Sequence, residues 1–523
     1  MPGADPNEQH QPTNPLVTAM LTDLYQITMT YAHWKNGKHN EPAVFELFFR
    51  KNPFHGEFTI FCGMDECMKF IQSYKFTEDD IAYLKTTPSL QNCEDEFFEY
   101  LQSFDPVTQL EVFHQKEGSV VFPRIPLLII EGPLGLGQLM ETTLLNLVNY
   151  PSLIATNAAR MVIRANGKSC VEFGLRRAQG PDGAMSASKY SYIGGFTATS
   201  NVHAGKVFGI PISGTHAHAF VQSYTSLDEV ATTQLLNTKT NEMELLLPKV
   251  LALRSTKTTN DGELAAFIAY AAAFPKTFLC LIDTYDTIHS GLPNFLYVAQ
   301  VLEEMGYKPI GIRLDSGDLN ALSLECAKVF NTKNYEIVAS NDINEASLNK
   351  LASSSAITIY GIGTNLVTCQ AQPALGCVYK LVECNQKPRI KISQEIVKVT
   401  IPGRKRAYRL FVGHKMTMDY MTFASDDVPQ INQALICRNP FHSTERYSIT
   451  PTKVVPLHQK LDYSVSFANI KETREYTKSQ LKELSSDVTA YENPTSYPIM
   501  VSQSLYDYLY EIWEREAPIP EMK

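Results

Sequence analysis

Six stretches of this chain repeat one plan: a short apolar run, a cluster of polar residues, then a segment patterned as a helix. They are Cys170–Arg177, Ile210–His218, Thr277–Asp286, Pro309–Asp318, Tyr335–Asn344 and Ile357–Asn365. Continuous apolar runs alternating with helices are the pattern of buried parallel strands. Their separation of roughly 25–40 residues suits repeated strand–helix units. In barrels and open α/β sheets, ligands bind beyond the carboxyl ends of the strands. His218, Asp283, Asp286, Arg313, Asp315, Asp318, Asn341 and Thr364 are therefore expected on one face.

At 523 residues the chain is long enough for two or three domains. A polar, proline-rich stretch, residues 1–14, is expected to be disordered. It has neither the apolar core of a signal peptide nor the arginine-rich pattern of a transit peptide. Residues 15–167 mix helices and strands: a helix over Ala19–Trp34, strands over Ala43–Phe49, Thr59–Cys62, Leu110–Gln115 and Val120–Glu131, and helix over Leu139–Ala165 with a break at Pro151. The repeated units fill 168–372, with helices at Asp261–Phe274, Leu292–Met305 and Leu319–Phe330. Residues 373–523 read as short antiparallel strands (Gly376–Glu383, Pro388–Ser393, Lys398–Ile401, Ala407–Val412), a turn at Gly403–Arg406 and a final helix, Ser504–Arg515. No apolar run reaches the roughly 20 residues of a membrane-spanning helix. A net charge of −9 gives no sign of wholesale nucleic-acid binding, so an anionic ligand must meet a locally positive pocket. Ten cysteines without a CxxC pair read as reduced thiols of a cytosolic protein.

Four constellations carry chemistry. In Gly214-Thr215-His216-Ala217-His218 the two histidines point the same way if the segment is extended. They can ligate zinc with Asp283, His218 can act as a nucleophile or acid–base group, or a histidine here can be structural. In Ile312–Asp318 (IRLDSGD) a strand brings Arg313 and Asp315 to one side, and a glycine turn follows. A guanidinium beside carboxylates suits an anionic substrate or a magnesium-bound phosphate, or forms a structural ion pair. Tyr360–Asn365 (YGIGTN) offers a backbone cradle for phosphate or a plain tight turn. The acids of Asp283–Asp286 (DTYD) suit magnesium, hydroxyl groups or a helix N-cap.

Thr22–Gln26 (TDLYQ), EFGLRRAQG at 172–180, SGTHAHAF at 213–220, DTYDT at 283–287, RLDSGDL at 313–319, ASNDINE at 339–345 and GIGTN at 361–365 together resemble the nicotinate phosphoribosyltransferase family, in its eukaryotic type, along nearly the whole chain. The resemblance implies a type II phosphoribosyltransferase fold: an irregular α/β barrel with an α+β domain formed from the N- and C-terminal segments. It implies that nicotinate and 5-phosphoribosyl 1-pyrophosphate give nicotinate mononucleotide and pyrophosphate, the first step of NAD synthesis from nicotinate. ATP is the co-substrate and Mg²⁺ or Mn²⁺ the cofactor, in a homodimer with shared active sites. By the same resemblance Phe173 and Tyr25 sandwich the pyridine ring, with Tyr25 and Asp23 coming from the partner subunit. Arg313 and Thr215 hold nicotinate, Arg176 binds a phosphate or the ring carboxylate, and Asp315 orients the ribose hydroxyls or the metal. Asp283, Asn341, Gly363 and Thr364 bind phosphoribosyl pyrophosphate, and His218 is the histidine that ATP phosphorylates. The amide-using relative is expected to carry an acid where this chain has Asn201, and an uncharged residue there favours a carboxylate substrate. A zinc-dependent barrel hydrolase and a non-catalytic binding protein are the alternatives, and the presence of His218, Arg313 and Asp315 speaks against the second.

Overall fold

The computed structural model describes residues 11–255, 258–393, 395, 398–465 and 469–518. The expected disordered tail lies outside the described residues as far as residue 10. Beyond it, Thr13 is bonded to Glu66 through both its backbone N–H (2.8 Å) and its hydroxyl (2.6 Å). The chain forms two compact units: residues up to Asn157 with Ala371 onward, and Ala158–Gln370.

The first unit interleaves the two ends of the chain. One antiparallel sheet runs in the order Lys387–Pro388, Cys377–Cys384, Pro42–Phe49, Leu128–Pro133, Glu111–His114, Gln459–Lys460. A second, built from Arg446–Ile449, Leu435–Arg438, Ile499–Ser502, Lys415–Phe423, Lys405–Val412 and Lys453–Pro456, is closed over by the helix Gln503–Glu516, whose Leu505, Leu509 and Ile512 are buried. The expected strand Val120–Glu131 is two strands, Val120–Val121 and Leu128–Pro133, because Pro123 and Pro126 interrupt it. Gly403–Arg406 is not all turn, since Lys405 and Arg406 open a strand and Lys405 is buried against Glu46 at 3.0 Å. Of Pro388–Ser393 only Pro388 is in a strand, and Lys398–Ile401 is in none.

One helix lies wholly in this unit near its start, and a second begins in it and runs past Asn157. Helix α1, Leu24–Lys35, starts five residues later than expected, after Asp23. Helix α2, Glu141–Arg164, runs through Pro151 without the expected break. Proline has no N–H for the carbonyl four residues back, here Leu147 O. Gly63 packs onto that carbonyl so closely that a Cβ would lie 1.9 Å from it, and its φ of +101° is one that glycine tolerates.

The second unit holds a six-stranded parallel sheet: β1 Ser169–Glu172, β2 Ala198–Thr199, β3 Leu279–Leu281, β4 Gly311–Leu314, β5 Glu336–Ser340 and β6 Ile359–Ile362. The spatial order is β3-β4-β5-β6-β1-β2, with every pairing parallel. Five of the six expected strands are present. The sixth is Ala198–Thr199, and the apolar run at Ile210 makes only an isolated parallel bridge, Thr199 to Ile212. A run short in residues and flanked by Pro211 and Gly214 cannot support a full ladder. The 212–216 segment also meets the opposite edge, where the Leu281 N–H of β3 donates to His216 Nε2 at 3.3 Å. A side chain thus joins the two edges of the sheet into an irregular α/β barrel.

The three helices expected in this unit are present to within one residue: α3 Asp261–Ala273, α4 Leu292–Glu304 and α5 Leu319–Phe330. All ten cysteines are free thiols, and only Cys93 is not buried. Among the described residues no helix is long and apolar enough to cross a membrane.

Candidate active site

Strand β4 places Arg313 and, just past its end, Asp315. The Arg313 guanidinium donates to Thr215 Oγ1 at 3.1 Å and to His216 O at 3.5 Å, and its Nη2 lies 3.5 Å from Asp315 Oδ2. Asp315 Oδ2 is 3.8 Å from His218 Nε2, and its Oδ1 accepts from Ser340 Oγ at 2.5 Å. His218 starts a short helix and is held from its other side, Nδ1 lying 3.1 Å from Thr284 Oγ1. Asp283, at the end of β3, accepts from Asp315 N at 3.1 Å and from the Ser316 hydroxyl. Three strand ends and the His218 segment therefore converge in one hydrogen-bonded cluster.

Phe173 follows β1 and presents a ring to the same place. Its N–H donates to Ile362 O at 2.8 Å, and the Arg313 guanidinium carbon stands 5.9 Å from the ring centroid. A Cβ on Gly361 would fall 2.5 Å from the ring, so this glycine makes the room for Phe173. The preceding turn is fixed by buried Glu172, whose carboxylate accepts from Gly174 N–H, Ser188 Oγ (2.9 Å) and Thr199 Oγ1 (2.5 Å). Gly363 precedes the short helical turn Thr364–Val367, with both residues half-buried. Asn341 is exposed and holds a φ of +140°. Arg176 is exposed on the turn after β1.

Some expected residues are spent elsewhere. Asp286 caps the π-turn Thr287–Gly291 by accepting from Ile288 N (3.0 Å) and His289 N (2.7 Å), and these bonds hold its carboxyl below its usual range. Asp318 caps α5 in the same way. Neither joins the cluster, because a short acid one residue before a helix is captured by the helix's free N–H groups. Asn201 is buried, with its oxygen capping Val202–Phe208 and its amide donating to Ser188 Oγ at 3.2 Å. Asp23 and Tyr25 belong to the other unit. Asp23 accepts from Thr142 Oγ1 at 3.1 Å, and Tyr25 is 46% exposed on the first turn of α1.

His216 has a role that its sequence did not reveal. It is 7% exposed, and its Nε2 accepts a backbone proton, so the ring is the neutral Nδ1–H tautomer and is not free to bind zinc. Among the described residues no group of three or more His, Cys, Asp or Glu side chains is arranged to hold a metal. Burial, helped by Arg313 and His218, pushes the His216 pKa down to about 4 from 6.5. Between those values the unfolded chain binds a proton that the folded chain refuses, so stability is full above pH 6.5 and is lost as the pH falls toward about 4. The shift corresponds to about 3 kcal/mol. The stability advantage of the wild type over His216→Gln, measured by urea denaturation, is expected to shrink by about that amount from neutral to acid pH. A pH-independent difference would show that the buried ring is not what titrates.

The nicotinate phosphoribosyltransferase (NAPRTase) family model matches residues 168–424, its N-terminal domain model residues 20–149 and its C-terminal domain model residues 404–509. The chain belongs to the nicotinate phosphoribosyltransferase family. Nicotinate phosphoribosyltransferase 1 of Arabidopsis thaliana is 47% identical, over 98% of this chain and 96% of its own length. The nicotinate phosphoribosyltransferase of Homo sapiens is 38% identical, over 98% and 99%. The crystal structure of human nicotinic acid phosphoribosyltransferase matches with a TM-score of 0.83 at 37% identity, covering 94% of this chain and 99% of that one. Nicotinate-nucleotide pyrophosphorylase from Pyrococcus furiosus, at 19% identity and a TM-score of 0.58, shares the fold. The family fold is the type II phosphoribosyltransferase fold expected from the motifs. Thr284 and Ser340 carry no signal in the sequence beyond sitting inside the motifs, yet Thr284 orients His218 and Ser340 bonds Asp315, while Ser316, the hydroxyl of the DSGD turn, bonds Asp283.

Proposed function

We propose that this chain condenses nicotinate with 5-phosphoribosyl 1-pyrophosphate to give nicotinate mononucleotide and pyrophosphate. The observation that carries the reading is the cluster of Arg313, Thr215, His218 and Asp315 at the strand ends beside the Phe173 ring. The pyridine ring stacks on Phe173 and its carboxylate meets Arg313 and Thr215. This leaves the ring nitrogen free to attack C1′ of the ribose as the C1′–O bond to pyrophosphate breaks and the electron pair leaves with pyrophosphate. Holding both partners in line supplies much of the rate, and neutralising the leaving group supplies more. Asp315 orients the ribose hydroxyls, Asp283 holds the Asp315–Ser316 turn and the diphosphate side, and Asn341, Gly363 and Thr364 take the 5′-phosphate. Arg176, free in solvent on its turn, reaches a phosphate or the ring carboxylate.

Mg²⁺ (or Mn²⁺) fits this site through few protein ligands, since such ions bind through one or two carboxylates plus substrate phosphates. Asp315 would hold it, and Asp283 Oδ1, buried without a partner, adds negative potential nearby. The ion would neutralise charge on the departing pyrophosphate.

ATP enters as co-substrate through His218. Its ring is oriented by Thr284 and faces Asp315, and its side chain is 40% exposed, so it is both held and reachable. Transfer of the γ-phosphoryl group from ATP to the imidazole releases ADP, and later hydrolysis of the phosphohistidine returns phosphate. This is the ATP-dependent, ligase-type coupling of the reaction, serving NAD synthesis from nicotinate in the cytosol.

A homodimer completes the site. Helix α1 buries Ile27 together with the polar Gln26 and Thr30, while its Leu24, Tyr25 and Met29, and Leu21 just before it, are exposed. An apolar helix face left in water marks an interaction surface. With Tyr25 and Asp23 reaching the partner's ring-binding site, that face gains its cover.

The test is incubation of the purified chain with labelled nicotinate, phosphoribosyl pyrophosphate and Mg²⁺, with and without ATP. Mononucleotide should form in both, faster with ATP, and acid-labile phosphate should appear on the wild type but not on His218→Ala. Absence of mononucleotide would end the reading, and full ATP stimulation of His218→Ala would remove the histidine from it. Mixing Tyr25→Ala and His218→Ala chains, each without ATP-stimulated activity alone, should restore about a quarter of that activity, because half the dimers are mixed and each holds one intact site of two. No recovery after verified subunit exchange would mean that Tyr25 serves its own subunit.

A further inference from the structure

Glu263 is a buried acid with no part in the chemistry above. It lies in the first turn of α3, fully buried, and its N–H is capped by Asn260 Oδ1 at 2.8 Å. Its Oε2 accepts from Ser290 Oγ at 2.6 Å and from Asn294 Nδ2 at 3.0 Å, while Oε1 is buried without a partner. Ser290 Oγ in turn accepts from Asn260 N at 2.9 Å. One carboxylate oxygen thus gathers α3, the π-turn Thr287–Gly291 and α4.

That π-turn is anchored to the end of β3. Gly291 packs on Ile282 O so tightly that a Cβ would lie 1.9 Å from it. The Ser290 and Gly291 N–H groups both return to Asp286 O, at 3.1 and 2.8 Å. Between Ile282 and Asp286 stand only Asp283, Thr284 and Tyr285. Asp283 ties down the Asp315–Ser316 turn, and Thr284 holds His218 Nδ1. A single π-turn wedged into a connection is a frequent companion of functional sites, because it re-aims the residues beside it.

We propose that Glu263 is the positioning residue for His218, acting through Ser290 and the π-turn to fix the loop that carries Asp283 and Thr284. Keeping an acid here has a cost: burial, with Asp286 and Asp283 nearby, pushes its carboxyl up to about 7 against the pull of the Ser290 and Asn294 hydrogen bonds. An apolar residue would fill the space without that cost but could not accept from Ser290 and Asn294 together. The role rests on the assignment of His218 as the group that ATP modifies.

The experiment compares Glu263→Ala and Glu263→Gln in the full-length chain, by kinetics and by the imidazole resonances of His218 in ¹⁵N-histidine-labelled protein. Glutamine keeps an acceptor for Ser290 and Asn294. It should leave the His218 resonances and the ATP-stimulated kcat close to wild type. Alanine should move the resonances and lower that kcat by about 10- to 100-fold with the nicotinate KM little changed, the signature of a misplaced reacting group. If Glu263→Ala does not fold, Ser290→Ala removes the same link from the other side and should give the same pattern in milder form. Unmoved His218 resonances in a folded Glu263→Ala or Ser290→Ala protein would overturn the proposal, as would equal damage from alanine and glutamine. The resonances report the loop whether or not the chain transfers a phosphoribosyl group. A wild type without that activity therefore fails the functional reading alone.

Discussion

Arg313→Ala is expected to lower kcat/KM for nicotinate by about 30- to 1000-fold, the worth of a desolvated guanidinium–carboxylate contact of about 2–4 kcal/mol. The guanidinium is largely buried, its side chain 14% exposed, and it is aimed by three contacts: Thr215, the His216 carbonyl and Asp315. A planar fork held this way can offer parallel N–H groups to a carboxylate. Arg313→Lys should rescue poorly, because an ammonium cannot span Thr215, the His216 carbonyl and a ligand together. Nicotinamide, which lacks the carboxylate, should gain relative to nicotinate in both variants. Steady-state kinetics with both substrates checks this, and an unchanged nicotinate KM in both variants would take Arg313 out of the substrate site.

Arg409→Ala should cost about 3–5 kcal/mol of stability, the expense of leaving a buried charge unpaired. Arg409 and Asp419 face each other across neighbouring strands of the first unit, both almost fully buried, with bonds of 2.7 and 2.9 Å. Arg409 also donates to Val120 O at 2.9 Å, and the Tyr497 hydroxyl donates to Asp419 at 3.2 Å. The Phe122 and Tyr497 rings stack beside the pair with centroids 3.6 Å apart. Burial opposes the guanidinium's charge, but Asp419 outweighs it and holds the pKa above the ordinary value. Asp419→Leu combined with Arg409→Met should recover most of the loss, since a matched apolar pair removes the orphaned charge. Denaturant titration of the two single variants and the double variant tests this. A double variant as unstable as either single one would show that the wider network, not the pair, carries the energy.

Much of the barrel was legible because its strands are buried on both faces. Residues 277–286, 309–318, 335–344 and 357–365 each read as an apolar run with polar residues at its end, and each became a strand with site residues beyond it. The run at Ile210 misled for a local reason. It has the apolar composition of a strand, but a proline and a glycine shorten its ladder to one bridge, and the neighbouring strand is only Ala198–Thr199. Asp286 and Asp318 looked like Asp283 and Asp315 in sequence. Which acid faces the site and which one caps a helix depends on three residues of chain past the strand end, and that is set by the turn.

The sequence by itself determined five of the six strands of the second unit, the α3, α4 and α5 segments, the motifs, and through them the family. These are properties of local periodicity and residue type, which a linear reading contains. Only the tertiary structure decided that His216 closes the sheet by accepting the Leu281 N–H, that Gly361 yields its side-chain space to the Phe173 ring, and that Gly63 covers the carbonyl left open by Pro151. It also decided that Glu263 reaches Ser290 across 27 residues. Each of these joins groups far apart in the chain through a contact of a few ångströms. No pattern along the sequence encodes such a contact, because packing alone brings the partners together.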